Sequence, residues 1–156
     1  MALSQLISFL SEAGRLAKMD PDTAFPGETV TPDQVGCHRL LVRAGKIGAG
    51  LGAVFGAWMG YELYLHPDSA SPDGRQVMMV FVLAPLMMVV VGILCGLSWA
   101  GLFLPGAFYN GPVGAHWMKL AGTKRPGSTR LVVAIVALLT TGWIVFFPIC
   151  VWLGKV

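Results

Sequence analysis

The sequence predicts an all-α membrane protein: three transmembrane helices in a small bundle, preceded by an N-terminal amphipathic helix. Three observations carry that expectation. First, 55% of the 156 residues are hydrophobic and only 12% charged, with a mean hydropathy of +0.69, whereas a soluble domain carries about 25% charged residues. Second, the apolar stretches 47–65, 77–104 and 131–153 are each long enough to cross a hydrocarbon core of ~30 Å. Third, the first stretch carries Gly48, Gly52, Gly56 and Gly60 at a strict spacing of four. Residues four apart share one side of a helix, so these glycines form a shallow groove into which a second helix backbone fits closely.

Residues 1–36 read as an N-terminal segment and 37–156 as the transmembrane domain. Leu3, Leu6, Ile7, Leu10, Ala13 and Ala17 recur at steps of three and four, the period of an amphipathic helix. Such a helix can lie in the cytoplasmic interface, dock on a neighbouring protein or fold against the protein's own helices. The layout is not that of a signal peptide, because Arg15 and Lys18 follow the apolar residues. The segment 20–36 reads as a Pro-, Gly- and Asp-rich loop. Its four acidic residues, Asp20, Asp22, Glu28 and Asp33, do not have the order of an EF-hand loop.

Thr31, Pro32, Asp33 and Gln34 read as a helix start, with Gln34 completing a capping box. The first membrane helix then begins well before its apolar section. Arg39, Arg43 and Lys46 lie on one stripe of that extension, roughly opposite Gly48, and are expected to contact lipid headgroups or an acidic partner. At the other end stand Trp58, Tyr61 and Tyr64, an interfacial aromatic cluster. Glu62 lies among them as the one acidic residue within an apolar run, and is a candidate ion or proton site.

The segment 66–76 reads as an exposed turn, with His66 solvated. In the second span Pro85 is expected to kink the helix, and Gly92, Gly96 and Ala100 repeat the small-residue spacing. The simplest expectation is that this face meets the glycine groove of the first span. Met78, Met79, Met87 and Met88 are packing residues. The connection 105–130 contains a short interfacial helix around 113–121 and a turn at 122–128, without the spacing of a phosphate-binding loop. The third span carries Thr140, Thr141, Gly142 and Pro148.

Nine of the eleven Lys and Arg residues precede the first span or lie in the second connection; Arg75 and Lys155 stand on the other side. The positive-inside rule then puts the N-terminus in the cytoplasm and the C-terminus outside, in a plasma or inner membrane. Cys37, Cys95 and Cys150 occur singly, and His38, His66 and His116 are scattered. No catalytic residue, metal site or cofactor is therefore expected. The net charge of +3 gives no reason to invoke nucleic acid. The expected partners are membrane lipids and other membrane subunits or further copies of the chain. The expected function is that of a non-catalytic integral membrane subunit packing by glycine-faced helices. The alternative is a homo-oligomeric pore, for which Glu62, Thr140 and Thr141 are the polar candidates.

Overall fold

The computed structural model describes residues 3–25, 28–65, 82 and 84–153. Every regular element among them is helical: α1 (Leu3–Lys18), α2 (Pro21–Ala24), α3 (Pro32–Leu65), α4 (Ala84–Phe103), α5 (Gly106–Tyr109), α6 (Pro112–Leu120) and α7 (Pro126–Trp152). Three of these, α3, α4 and α7, are long and apolar enough to cross a membrane. At 34 residues, α3 spans ~50 Å and so exceeds a hydrocarbon core by several turns.

Local chemistry sets the helix ends. The Thr31 carbonyl accepts from the backbone N–H groups of Gln34 (2.9 Å) and Val35 (3.3 Å), and α3 opens on Pro32, where a missing N–H costs nothing. Gln34 does not close a capping box, however. Its side chain is buried with the amide against Gly111, and Oε1 has no hydrogen-bond partner among the described residues. Packing of α3 on the α5–α6 junction has taken the side chain away from its own helix end.

Pro85 stands in the first turn of α4, which also tolerates proline. Of the residues before it that an expected kink requires, only Val82 and Ala84 are among those described. Helix α6 matches the expected interfacial helix within a residue. It ends in a Schellman turn, with Thr123 N–H donating to the Met118 carbonyl and Gly122 N–H to Lys119, both at 3.0 Å. Gly122 has φ +69°, a conformation that favours glycine. Helix α7 then starts at Pro126, inside the turn expected over 122–128 and five residues before the expected span. The Ser128 and Thr129 hydroxyls fold back on the Arg125 carbonyl at 3.0 and 2.9 Å, which closes its first turn.

Helix α4 runs antiparallel to α3 and packs along it, and its other flank packs less extensively on α7. Helices α3 and α7 share no extended contact, so the three stand as an open row with α4 in the middle. The main core lies at the end where α3 and α7 begin. There Leu16 of α1, Leu41 of α3, Ala100 and Leu104 at the end of α4, Phe108 and Tyr109 of α5, and Val113 and Trp117 of α6 form one buried cluster. This layer is the cap. The last part of α1 is thereby folded onto the protein itself, while Ile7 nearer its start is exposed.

Candidate functional site

The α3–α4 seam brings the two glycine series together. A methyl group built on Gly48 would run into the Gly92 carbonyl, one on Gly52 into the Met88 carbonyl, and one on Gly96 into the Ala44 carbonyl. At Gly56 the nearest atoms would be Pro85 Cα at 2.6 Å and Met88 Cβ at 3.0 Å. Backbone meets backbone at each of these positions, and only glycine leaves room for it. Gly60 is buried further along α3, and Ala100 carries the α4 stripe into the cap core. Beside the seam runs an apolar groove of about 740 Å³, lined by Leu51, Phe55 and Trp58 of α3, Trp99 and Phe103 of α4, and Ile144 of α7.

Polar contacts between helices sit at two depths. Between α4 and α7, the Trp99 indole N–H donates to Thr141 Oγ1 at 2.9 Å, and Cys95 Sγ lies 3.8 Å from the same oxygen. Thr140 Oγ1 donates to its own backbone, at the Val136 carbonyl, 2.8 Å away. In the cap, the Trp117 indole N–H donates to His38 Nδ1 at 3.2 Å. An indole N–H can only donate, so Nδ1 is the acceptor and a neutral His38 carries its proton on Nε2. The same imidazole hydrogen-bonds the Met19 backbone, which ties the end of α1 to α3. Tyr109 Oη donates to the Gly101 carbonyl at 2.7 Å, and Arg130 to the Leu104 carbonyl at 3.1 Å. Burial holds the Tyr109 phenol above its ordinary range, against the opposing pull of Arg130, so it keeps the proton that it donates.

The basic stripe of α3 faces the end of α1 across a cleft of about 320 Å³. Lys18, Met19, Asp20 and Pro21 form one wall, and His38, Arg39, Val42, Arg43 and Lys46 form the other. The structure adds Lys18 and Asp20 to the three cations read from the sequence. The remaining expected feature, Glu62, falls in the last turn of α3, but its side chain lies outside the described residues, as does the whole turn with His66.

Sequence reading missed the His38–Trp117 pair, whose members stand 79 positions apart with no motif joining them. It also missed the closure of the cleft by Lys18. The nearest signal was the run of apolar positions in α1 ending at a basic residue, which suggested docking but not where. The chain matches no protein-family model, curated protein or solved structure.

Proposed function

We propose that this chain is a non-catalytic integral membrane subunit, with its N-terminus and the α5–α6 connection in the cytoplasm and its C-terminus outside. The positive-inside asymmetry supports the orientation. So does the cap, because the N-terminal segment and the 105–130 connection share one core and therefore one side of the membrane. In this reading the glycine faces are used within the chain and build a rigid α3–α4 pair. The surface left for another subunit is the groove between α3 and α4, whose aromatic edges and 740 Å³ suit the side chains of an added helix.

The observation that carries the subunit reading over the pore is the state of the threonines. Thr140 has spent its hydrogen on its own helix and Thr141 accepts from Trp99. Two of the three polar groups available for a pore lining are thus engaged in holding helices, and the groove between α3 and α4 is lined by apolar atoms. Extraction in mild detergent from the native membrane, followed by mass and composition analysis, tests the proposal. Other chains at fixed stoichiometry are expected. A discrete homo-oligomer with conductance across a bilayer would put the pore in its place.

A further inference from the structure

The cleft between α1 and α3 goes beyond an ordinary basic flank. Four cations, Lys18, Arg39, Arg43 and Lys46, line it against one carboxylate, Asp20, a formal balance of +3. They come from two segments, held together by the docking of Leu16 into the cap core and by the hydrogen bond of His38 to the Met19 backbone. The cleft is therefore a formed concavity of about 320 Å³, large enough for a phosphate with its glycerol. Arginine is suited to phosphate because its planar fork donates two parallel hydrogen bonds.

What lies below the cations on the same face of α3 favours a lipid. Arg39, Arg43 and Lys46 are followed at helical spacing by Gly50, Ala53 and Ala57, all exposed. A methyl group built on Gly50 would meet nothing within 4 Å. The α4 seam occupies the opposite side of α3, so this strip is a smooth surface directly beneath the cleft. We infer that the cleft binds the phosphate headgroup of an anionic lipid, with the lipid's chains lying along Gly50, Ala53 and Ala57. The inference rests on α3 crossing a membrane but not on the subunit reading, and holds for a subunit or a pore alike.

Native mass spectrometry of the full-length protein in mild detergent tests it, with phosphatidylglycerol, phosphatidylcholine and inorganic phosphate as probes. One phosphatidylglycerol is expected to be retained at least ten-fold more tightly than phosphatidylcholine. A cation near an anionic headgroup contributes roughly a five-fold factor. Arg39→Gln with Arg43→Gln should therefore weaken phosphatidylglycerol by roughly twenty-five-fold, and Asp20→Asn should strengthen it. Lys124→Gln with Arg125→Gln, which removes the same charge elsewhere, should change it little. Size-exclusion profiles and melting temperatures matching the parent protein exclude misfolding as the cause, and Lys46→Gln provides a milder variant if the double one is unstable. Ala53→Trp should weaken lipid retention without altering the response to inorganic phosphate. Equal binding of the two lipids, or a preference that survives loss of both arginines, overturns the proposal. Displacement of the lipid by an equal concentration of inorganic phosphate overturns its lipid half and leaves a site for soluble phosphate.

Discussion

Gly48 and Gly50 lie two residues apart on the same helix, and replacing each with alanine separates packing from propensity. In both variants alanine gains the same intrinsic advantage over glycine, at most ~1 kcal/mol, so that contribution cancels in the comparison. The surroundings differ. The new methyl at Gly48 would lie 2.8 Å from the Gly92 carbonyl carbon, beyond its closer clash with the oxygen, while at Gly50 nothing lies within 4 Å. Carbon atoms sit comfortably at ~3.5–4.0 Å, so α3 and α4 must part by roughly 1 Å at that crossing. A gap of that size forfeits about a quarter to a half of the dispersion energy of the contacts it opens, and overpacking of this kind costs about 1–3 kcal/mol. No hydrophobic force between helices in lipid restores the loss. Gly48→Ala is therefore expected to be less stable than Gly50→Ala by about 1–3 kcal/mol. Reversible denaturation in mixed detergent–lipid micelles, followed by tryptophan fluorescence, measures the difference. Equal stability of the two variants would refute the close backbone approach along the seam.

Thr141→Val removes the acceptor for Trp99, and a double-mutant cycle with Trp99→Phe should give a coupling of about 0.6 kcal/mol, reaching at most ~1.7. A coupling of zero would mean that the α4–α7 bond contributes no stability. Trp117→Phe leaves His38 Nδ1 buried without its donor and should cost about 1–3 kcal/mol in the same unfolding assay, whereas a neutral result would show that the ring packing alone holds the cap. Gln34→Met removes the orphaned Oε1 at similar volume and is expected to keep or raise the melting temperature. A loss comparable to that of Trp117→Phe would show that the amide has a partner. With Cys37, Cys95 and Cys150 first replaced by serine, Ser69→Cys should be labelled by an impermeant thiol reagent only from outside; labelling from the cytoplasm reverses the topology.

Much of the membrane part could be read from the chain, because hydrocarbon imposes long apolar runs and close helix packing imposes small residues at a fixed step. The glycine series of α3 and α4 belong to that legible part, and so does the expectation that they meet. Their arrangement beyond the pair was not legible. That α4 stands between α3 and α7 depends on which flank of an almost uniformly apolar helix each neighbour takes, and no periodicity marks the flanks. The cap was harder still. Gln34 has the position of a capping residue, yet tertiary packing against Gly111 decides where its amide goes. His38 is one of three scattered histidines until α6 brings Trp117 to it. Lys18 joins the basic stripe only because Leu16, two residues earlier, is buried. In each case the decisive contact joins segments far apart in sequence, and single-residue preferences do not encode such contacts.

The placement of α4 between its two neighbours also fixes an order of assembly during synthesis. Helix α4 follows α3 in the chain, so the seam needs nothing that the ribosome has not already made once Phe103 has emerged into the bilayer. About fifty residues then separate Phe103 from Trp152, roughly 2–10 s of translation at ~5–20 residues per second. Helix motions run on microseconds to milliseconds, so in a bilayer α3 and α4 have time to close as a hairpin before α7 has fully emerged. During that interval the far flank of α4, with Cys95 and Trp99, faces lipid or an insertion chaperone, until Thr141 arrives to accept the indole hydrogen bond. Helix α7 therefore docks on a finished template. A lesion in the seam therefore acts on the nascent chain before α7 has docked, whereas a lesion at Thr141 acts on a protein whose first two spans are already joined.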